Sequence, residues 1–486
     1  MLLGLDIGTS SAKALLLDED GVAVAEAGAA YAVARPRPGW AETQPERWWD
    51  AVVAAVQALP RDRLEAVRGI GLAGQMHGAV LCDAGGTPLR PAILWLDTRS
   101  AECVALYPDG AEHTSGNAIS AGMTGPVLLW LERHEPGVLG AARWAMQPKD
   151  WVRLRLTGEA ATDPSDASGT LLADRDGEWA GELIARLGVR RDLLAPVVAS
   201  GRAAGRLSAA AAQMLGVPAG VPVAAGAGDT LSAALGSGLY RESAAQLAIG
   251  TSAQVVVLRD TWPGLSRPLN IFRSANPDGL PRWCVLAAML NGGAVLEWAR
   301  TTLSLTWDEA FARAFADGAA ASDVEFLPYL AGERSPWMDP HLRAGWMGVG
   351  AGDDAGALMR AALTGVAFGI RAGLDALRER GAAPERLRLA GGGTVHPGWR
   401  QLLADAIGLP LDAVSCTNAG ARGAALLGGL AAGAIAPADL LALAPAVSPA
   451  AEPRDHEALA ARYARFLDLR ARLADWFPRD DRQRST

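Results

Sequence analysis

Residues 1–21 read MLLGLDIGTSSAKALLLDEDG. Two apolar runs flank the turn Gly8-Thr9-Ser10-Ser11, and the first run carries a single carboxylate, Asp6. Apolar stretches of strand length, broken by glycine and hydroxyl residues, predict a hairpin. DEDG then predicts a second turn, with a third strand reaching Val33. The first turn exposes consecutive backbone N–H groups, and Gly8 has no Cβ to hold a ligand away. A nest of this kind suits phosphate oxygens, and Lys13 adds a point charge. Asp6 repels phosphate, so it would act there through a divalent cation, Mg²⁺. Taken alone, the same residues also describe a plain hairpin with hydroxyl-capped turns.

The pattern returns in the second half of the chain. AIGTSAQV (248–255) repeats DIGTSSAK (6–13) as strand, Gly-Thr-Ser turn, strand. A repeat at that separation implies two copies of one domain facing each other rather than a solenoid. Two such turns, the second at Gly250 and Thr251, can embrace one polyphosphate. VPVAAGAGDT (221–230) ends a strand on a glycine-rich turn and Asp229. A carboxylate there can meet a ligand and take the proton of an attacking hydroxyl; it can also serve as the N-cap of the helical stretch that follows. Gly391-Gly392-Gly393 follow a strand and precede a helix, which suits close approach of backbone to a nucleotide. His396, just before Pro397, is the expected N-cap of that helix. There is no GxxxxGK[ST] loop and no GxGxxG fingerprint.

Length and composition bound these readings. At 486 residues the chain is too long for one core, and two domains are expected. We place their boundary in LGVPAGVP, near Gly216–Val221, giving domains 1–218 and 219–486. Strands in antiparallel runs mixed with helices predict an α/β fold that is not doubly wound. A net charge of -8 argues against nucleic acid or an anionic membrane as partner. The four cysteines have no CxxC spacing and read as reduced thiols of a cytoplasmic protein. Asp6 interrupts the first apolar run too early for an export signal.

Three further clusters are polar enough to carry chemistry. GQMHG (74–78) leaves a histidine between small residues, with room for a polyol hydroxyl. LWLDTR (94–99) sets Trp95, Asp97 and Arg99 after an apolar run. GERSP (332–336) reads as a rigid structural turn closed by an ion pair.

Together these segments resemble the FGGY carbohydrate kinases, and among them the xylulokinases. RPGWAETQPERWW, AGQMHG, PAILWLDTR, QPKDWVRLRLTGE, GAGD, IGTS and FLPYLAGERSP occur in the family's order. The resemblance implies two RNase H-like, actin-type domains, with ATP and a sugar in the central cleft. It makes Asp229 the catalytic base and Asp6, with Asp229, the Mg²⁺-associated carboxylates. Gly8, Thr9, Ser10 and Lys13 match the first phosphate loop, Gly250 and Thr251 the second, and Gly391, Gly392 and Gly393 the adenosine motif. Met76 and His77 match the sugar contact, and we add Trp95, Asp97 and Thr230 to it. Thr230 stands where Asn or Gln is usual, Leu96 where Asn is frequent, and His396 replaces a small hydroxyl residue. The expected reaction is ATP-dependent phosphorylation of D-xylulose. The alternatives are a kinase for ribulose, fuculose or xylitol, or an actin-like nucleotide switch. The resemblance admits a homodimer.

Overall fold

The opening stretch folds as its pattern predicts. β1 (Leu2–Ile7) and β2 (Ser11–Leu17) pair antiparallel, with Asp6 opposite Lys13, and β3 (Ala23–Ala30) continues the meander. The computed structural model describes residues 1–264, 267–316 and 322–477. Asp18 holds the DEDG turn by accepting from the amides of Asp20 and Val22 at 3.0 and 2.8 Å, as short acidic side chains do in turns. β4 (Gly69–Gly74) joins β1 in parallel. β5 (Ala203–Arg206), β6 (Pro222–Ala224) and β7 (Ala227–Gly228) complete a seven-stranded sheet in the order β3-β2-β1-β4-β6-β5, with β7 also on β4. β1 and β4 are buried along almost their whole length, which explains their apolar runs.

The second sheet repeats this plan. Its strands are β8 (Ala245–Ile249), β9 (Ala253–Arg259), β10 (Asn270–Arg273), β11 (Trp283–Met289), β12 (Leu387–Ala390), β13 (Leu411–Val414) and β14 (Val447–Ala451). They run in the order β10-β11-β9-β8-β12-β13-β14. β8 and β9 form a hairpin around Gly-Thr-Ser, and β8 pairs with β12 in parallel as β1 pairs with β4. The short sequence repeat thus marks a repeat of topology. Two α/β domains of RNase H-like plan face each other across a cleft. The stretch Gly216–Val221 lies between β5 and β6, which pair with each other. The first sheet therefore continues past residue 218 and ends with β7.

Six helices position the site or its supports. α1 (Pro45–Gln57) starts on proline and buries Trp48, Val52 and Val56 along one face. α2 (Pro148–Thr157) and α3 (Pro164–Ser168) lie behind the cleft. α4 (Asp229–Gly236) follows β7 directly. α5 (Ala355–Glu379) is the one helix among the described residues long and apolar enough to cross a membrane, and most of it is buried in the second domain's core. α6 (Ala419–Ala431) returns from the second half to pack on β1, β4 and α4.

That return is possible because the facing residues are small. A side chain at Gly4 would overlap the carbonyl oxygen of Ala421, one at Gly71 that of Ala424, and one at Gly236 that of Ala419. Around this backbone-on-backbone contact one core joins both domains. It includes Leu2 from β1, Leu231 and Leu235 from α4, Val256 from β9, Leu286 from β11 and Leu426 from α6. Overpacking such a contact typically costs about 1–3 kcal/mol. Gly71→Val should accordingly lower stability by about 3 kcal/mol in urea unfolding. Gly137→Ala, with open space around the position, should be neutral. Equal midpoints for Gly71→Val and wild type would refute this account of the interface.

Candidate active site

Parallel pairing brings the carboxyl ends of three strands to one level. Ile7 and Gly228 both register with Gly74, so Asp6, the Gln75-Met76-His77 turn and Asp229 meet at one sheet edge. Ligands of open α/β sheets bind outside this edge. The edge faces a cavity of ≈ 220 Å³ walled from both halves, by Thr9, His77 and Asp229 on one side and Ser252, Gln254 and Arg334 on the other.

Asp229 is the first residue of α4, and the N-cap position belongs to Gly228. Its carboxylate does not cap the following turn. Oδ1 accepts instead from the amide and hydroxyl of Thr230, at 2.6 and 3.3 Å. Burial, and after it the negative charge of Asp6, push the Asp229 carboxyl up to about 7; the Thr230 bonds oppose both. Burial also raises Asp6, while Lys13 across the ladder lowers it. Oδ1 of Asp6 is buried without a hydrogen-bond partner.

Both Gly-Thr-Ser turns reach this cleft through a side chain, Thr9 in one and Ser252 in the other. The first is held by hydrogen bonds from within the protein. The Gly8 amide donates to the Ser11 carbonyl at 3.0 Å. The Gly8 carbonyl accepts from the Tyr31 hydroxyl at 2.5 Å and from Gln75 Nε2 at 3.0 Å. The Trp95 indole N–H donates to Thr9 Oγ1 at 3.1 Å. Ser10 and Lys13 are exposed beside it. In the second turn, Gly250 donates to the Ser252 carbonyl at 2.9 Å, and the carbonyls of Gly250 and Thr251 accept from Gly293 and Ala294 at 2.8 and 3.0 Å. Gly391 has φ +83° and packs on Ile249, where a side chain would overlap the Ile249 carbonyl oxygen; Gly393 is similarly crowded. Gly391 and Gly393 thus adjoin the second turn.

The sugar-side predictions separate. Met76 and His77 do wall the cleft, and Gly228 must be glycine because a side chain there would strike Met76 Cγ and Sδ. His77 Nδ1 lies 2.7 Å from the Gly169 carbonyl oxygen, which assigns the ring proton to Nδ1 and leaves Nε2 as an acceptor. Burial lowers the imidazole to about 4; the Gly169 bond opposes this and the Arg334 guanidinium reinforces it. Trp95 and Thr230 also wall the cleft. Asp97 does not. It is buried, accepting from the Ala41 amide at 2.6 Å and from Arg99 Nε and Nη2 at 2.9 and 2.7 Å. Arg99 is further paired with Glu42 at 2.8 Å and lies 3.4 Å over the Trp40 ring. Asp97 therefore fastens the loop that presents Trp95, and the expected sugar contact there is corrected. His396 occupies the N-cap position of helix Pro397–Ile407 without a side-chain cap, its ring stacked on Phe311 at 4.1 Å.

Other residues escaped the sequence reading. In GERSP the expected ion pair is absent. Glu333 binds backbone amides, and Arg334 enters the cleft. Behind Asp229, the Gly228 amide donates to Ser165 Oγ at 2.9 Å, and Ser165 Oγ donates to Asp163 at 2.6 Å. Lys149, fully buried, bridges Asp150, Asp163 and Asp166 at 2.6, 2.9 and 3.0 Å. Helical periodicity alone predicts no buried lysine on α2; only the carboxylates of DPSD (163–166) could have suggested a partner for it.

The chain matches the FGGY family of carbohydrate kinases, N-terminal domain, over residues 1–236, and the C-terminal domain of that family over residues 245–432. It is 38% identical to the xylulose kinase of Klebsiella pneumoniae over 85% of this chain and 86% of that one. A solved xylulose kinase from Brucella ovis superposes with a TM-score of 0.92 at 35% identity, covering 98% of this chain and 99% of the other. One from Rhodospirillum rubrum gives 0.90 at 29%, covering 98% and 100%.

The raised Asp229 carboxyl has a consequence for stability. Below an unfolded carboxyl value of about 4 it is protonated in both states. Between about 4 and about 7 the unfolded chain is charged while the folded protein still holds the proton, so stability falls over that window and levels off once the folded carboxyl also ionises. Asp229→Asn should raise the melting temperature at pH 8 and leave it unchanged at pH 3. An equal gain at both pH values would contradict the assigned shift.

Proposed function

The chain belongs to the FGGY family of carbohydrate kinases, and on that premise we propose that it uses ATP to phosphorylate D-xylulose at its terminal hydroxyl, O5. The observation that carries this is a carboxylate held near neutrality, Asp229, in a cleft shared by two Gly-Thr-Ser turns. A base is most effective when its pKa lies near the working pH. Asp229 takes the proton from O5 as O5 forms its bond to the γ-phosphorus, and the bond from that phosphorus to the bridging oxygen breaks to release ADP. Most of the catalysis in such transfers comes from positioning and charge neutralisation. The two turns supply the positioning, Gly8, Thr9, Ser10 and Lys13 from one lobe and Gly250 and Thr251 from the other. The nucleoside lies beside Gly391, Gly392 and Gly393.

Mg²⁺ fits the donors present. The charge of Asp6 disfavours that of Asp229, and a buried oxygen of Asp6 lacks a hydrogen-bond partner. No set of three or more His, Cys, Asp or Glu side chains that could hold a metal occurs among the described residues. The two carboxylates would thus hold the ion together with phosphate oxygens and water, the usual Mg²⁺ arrangement. Bound there, it would offset the negative charge of the phosphates. On the sugar side, His77 Nε2 accepts from a hydroxyl, Met76 and Trp95 shape the walls, and Thr230 orients the base. The cytoplasm is the compartment that suits an ATP-dependent enzyme with free thiols at Cys82, Cys103, Cys284 and Cys416.

The test is ADP release across D-xylulose, D-ribulose, L-fuculose and xylitol. D-xylulose should give the highest kcat/KM. Asp229→Asn should lower kcat by about 10²–10⁴. ADP release that ignores every sugar would favour a nucleotide switch and end the kinase reading.

A further inference from the structure

The backbone of the first Gly-Thr-Ser turn is fastened by its carbonyl oxygens. The Ser11 carbonyl accepts from the Gly8 amide at 3.0 Å, and the Ser10 carbonyl from the Tyr31 amide at 2.9 Å. The Gly8 carbonyl accepts twice, from the Tyr31 hydroxyl at 2.5 Å and from Gln75 Nε2 at 3.0 Å. Two donors fill both lone pairs of that oxygen. The amides of Thr9 and Ser10, by contrast, donate to no group among the described residues.

The two donors to Gly8 are set by the first sheet and not by the turn. Tyr31 follows β3, and its main chain and side chain grip the turn at residues 10 and 8. Gln75 follows β4, is buried, and anchors its own amide on the Ile7 carbonyl at 2.8 Å. The peptide between Gly8 and Thr9 is trans, so its C=O and N–H point in opposite directions. Holding the Gly8 carbonyl against Tyr31 and Gln75 therefore turns the Thr9 N–H away from both. Glycine leaves such a plane free to turn over, and a flipped plane would exchange an N–H dipole for a carbonyl dipole of the opposite sign. The side chain of Thr9 walls the cleft and is itself held by the Trp95 indole N–H at 3.1 Å. A backbone donor that is oriented but has no acceptor is suited to an anion, as successive amides in a nest are.

We propose that Tyr31 and Gln75 act together as positioning residues for phosphate: by filling both acceptor sites of the Gly8 carbonyl they fix the Gly8–Thr9 peptide with its N–H toward the nucleotide's phosphate chain. This rests on the reading of the first turn as a phosphate site. Neither side chain touches the nucleotide in this arrangement. Each acts through the one peptide plane that both hold, so the two depend on each other.

The test is titration of ATP and of adenosine, which carries no phosphate, into the full-length protein and its variants. Neutral hydrogen bonds typically convert to roughly a 2–10-fold change in affinity. Tyr31→Phe and Gln75→Met should each raise Kd for ATP roughly 2–10-fold and leave Kd for adenosine unchanged. The double variant should lose more than the product of the two, because in each single variant the other donor still holds the plane. Tyr31→Phe removes one hydroxyl and carries the comparison alone if Gln75→Met folds poorly. Equal losses for ATP and adenosine would show general loosening and overturn the proposal, as would losses in the double variant that merely multiply. Lys13→Met tests the underlying reading, since it removes the charge beside the turn and spares the Gly8 carbonyl. If Lys13→Met weakens ATP while Tyr31→Phe and Gln75→Met do not, the proposal falls and the phosphate site stands. If all three keep the wild-type affinity for ATP, both fall.

Discussion

The structure depends on one close contact, the backbone of α6 laid directly on the backbones of β1 and β4. Gly4, Gly71 and Gly236 meet the carbonyls of Ala421, Ala424 and Ala419 with no room for a side chain. The consequence is geometric. A helix that belongs to the second half of the chain is seated in the first sheet, so the carboxyl ends of β1, β4 and β7 open toward the turn between β8 and β9. Glycine interiors are costly for helices and strands because they add backbone entropy to folding. Here they permit an approach that no larger residue allows, and the surrounding apolar core offsets the cost.

The seating brings like charges together. The negative charge of Asp6 raises the cost of ionising Asp229 in a buried site. A cation and a phosphate chain between the lobes would relieve it. Stability has thus been given up at the place where ligands restore it, a common pattern at functional sites. Behind Asp229 the Lys149, Asp150, Asp163 and Asp166 cluster is equally expensive to bury. Its evident return is position, because Asp163 holds Ser165, and Ser165 holds the amide of the residue before Asp229.

What was legible in the chain was local chemistry. The Gly-Thr-Ser turns read correctly because turn propensity and alternating apolar runs act over a few residues, and their repetition disclosed the paired topology. Tertiary partners were not legible. LWLDTR looked like a ligand cluster because three polar or aromatic residues follow an apolar run; whether Asp97 faces a sugar or Arg99 depends on Trp40 and Glu42, some fifty positions earlier in the chain. GERSP looked like an internal ion pair, yet Glu333 found amides from another segment and left Arg334 to the cleft. The proline and glycine of LGVPAGVP marked a real turn, but between two strands of one sheet rather than between domains.

The same tertiary web bears on how the two halves act together. The short run Asp163–Gly169 touches both lobes of the site and the second domain. Ser165 holds the amide before Asp229, and Gly169 holds the His77 ring. Ser168 accepts from the Arg273 amide on β10 at 3.1 Å. Nearby, the Asn117 side chain bonds the amide and carbonyl of Ile271 on the same strand, at 2.8 and 2.7 Å, closing off a sheet edge that would otherwise be unpaired. Asp229, His77 and the facing domain are therefore tied to one five-residue helix and its ends. Any movement of the second sheet against the first reaches Asp229 and His77 through the same few bonds, which is how a two-lobed enzyme can make its chemistry conditional on its lobes being in register.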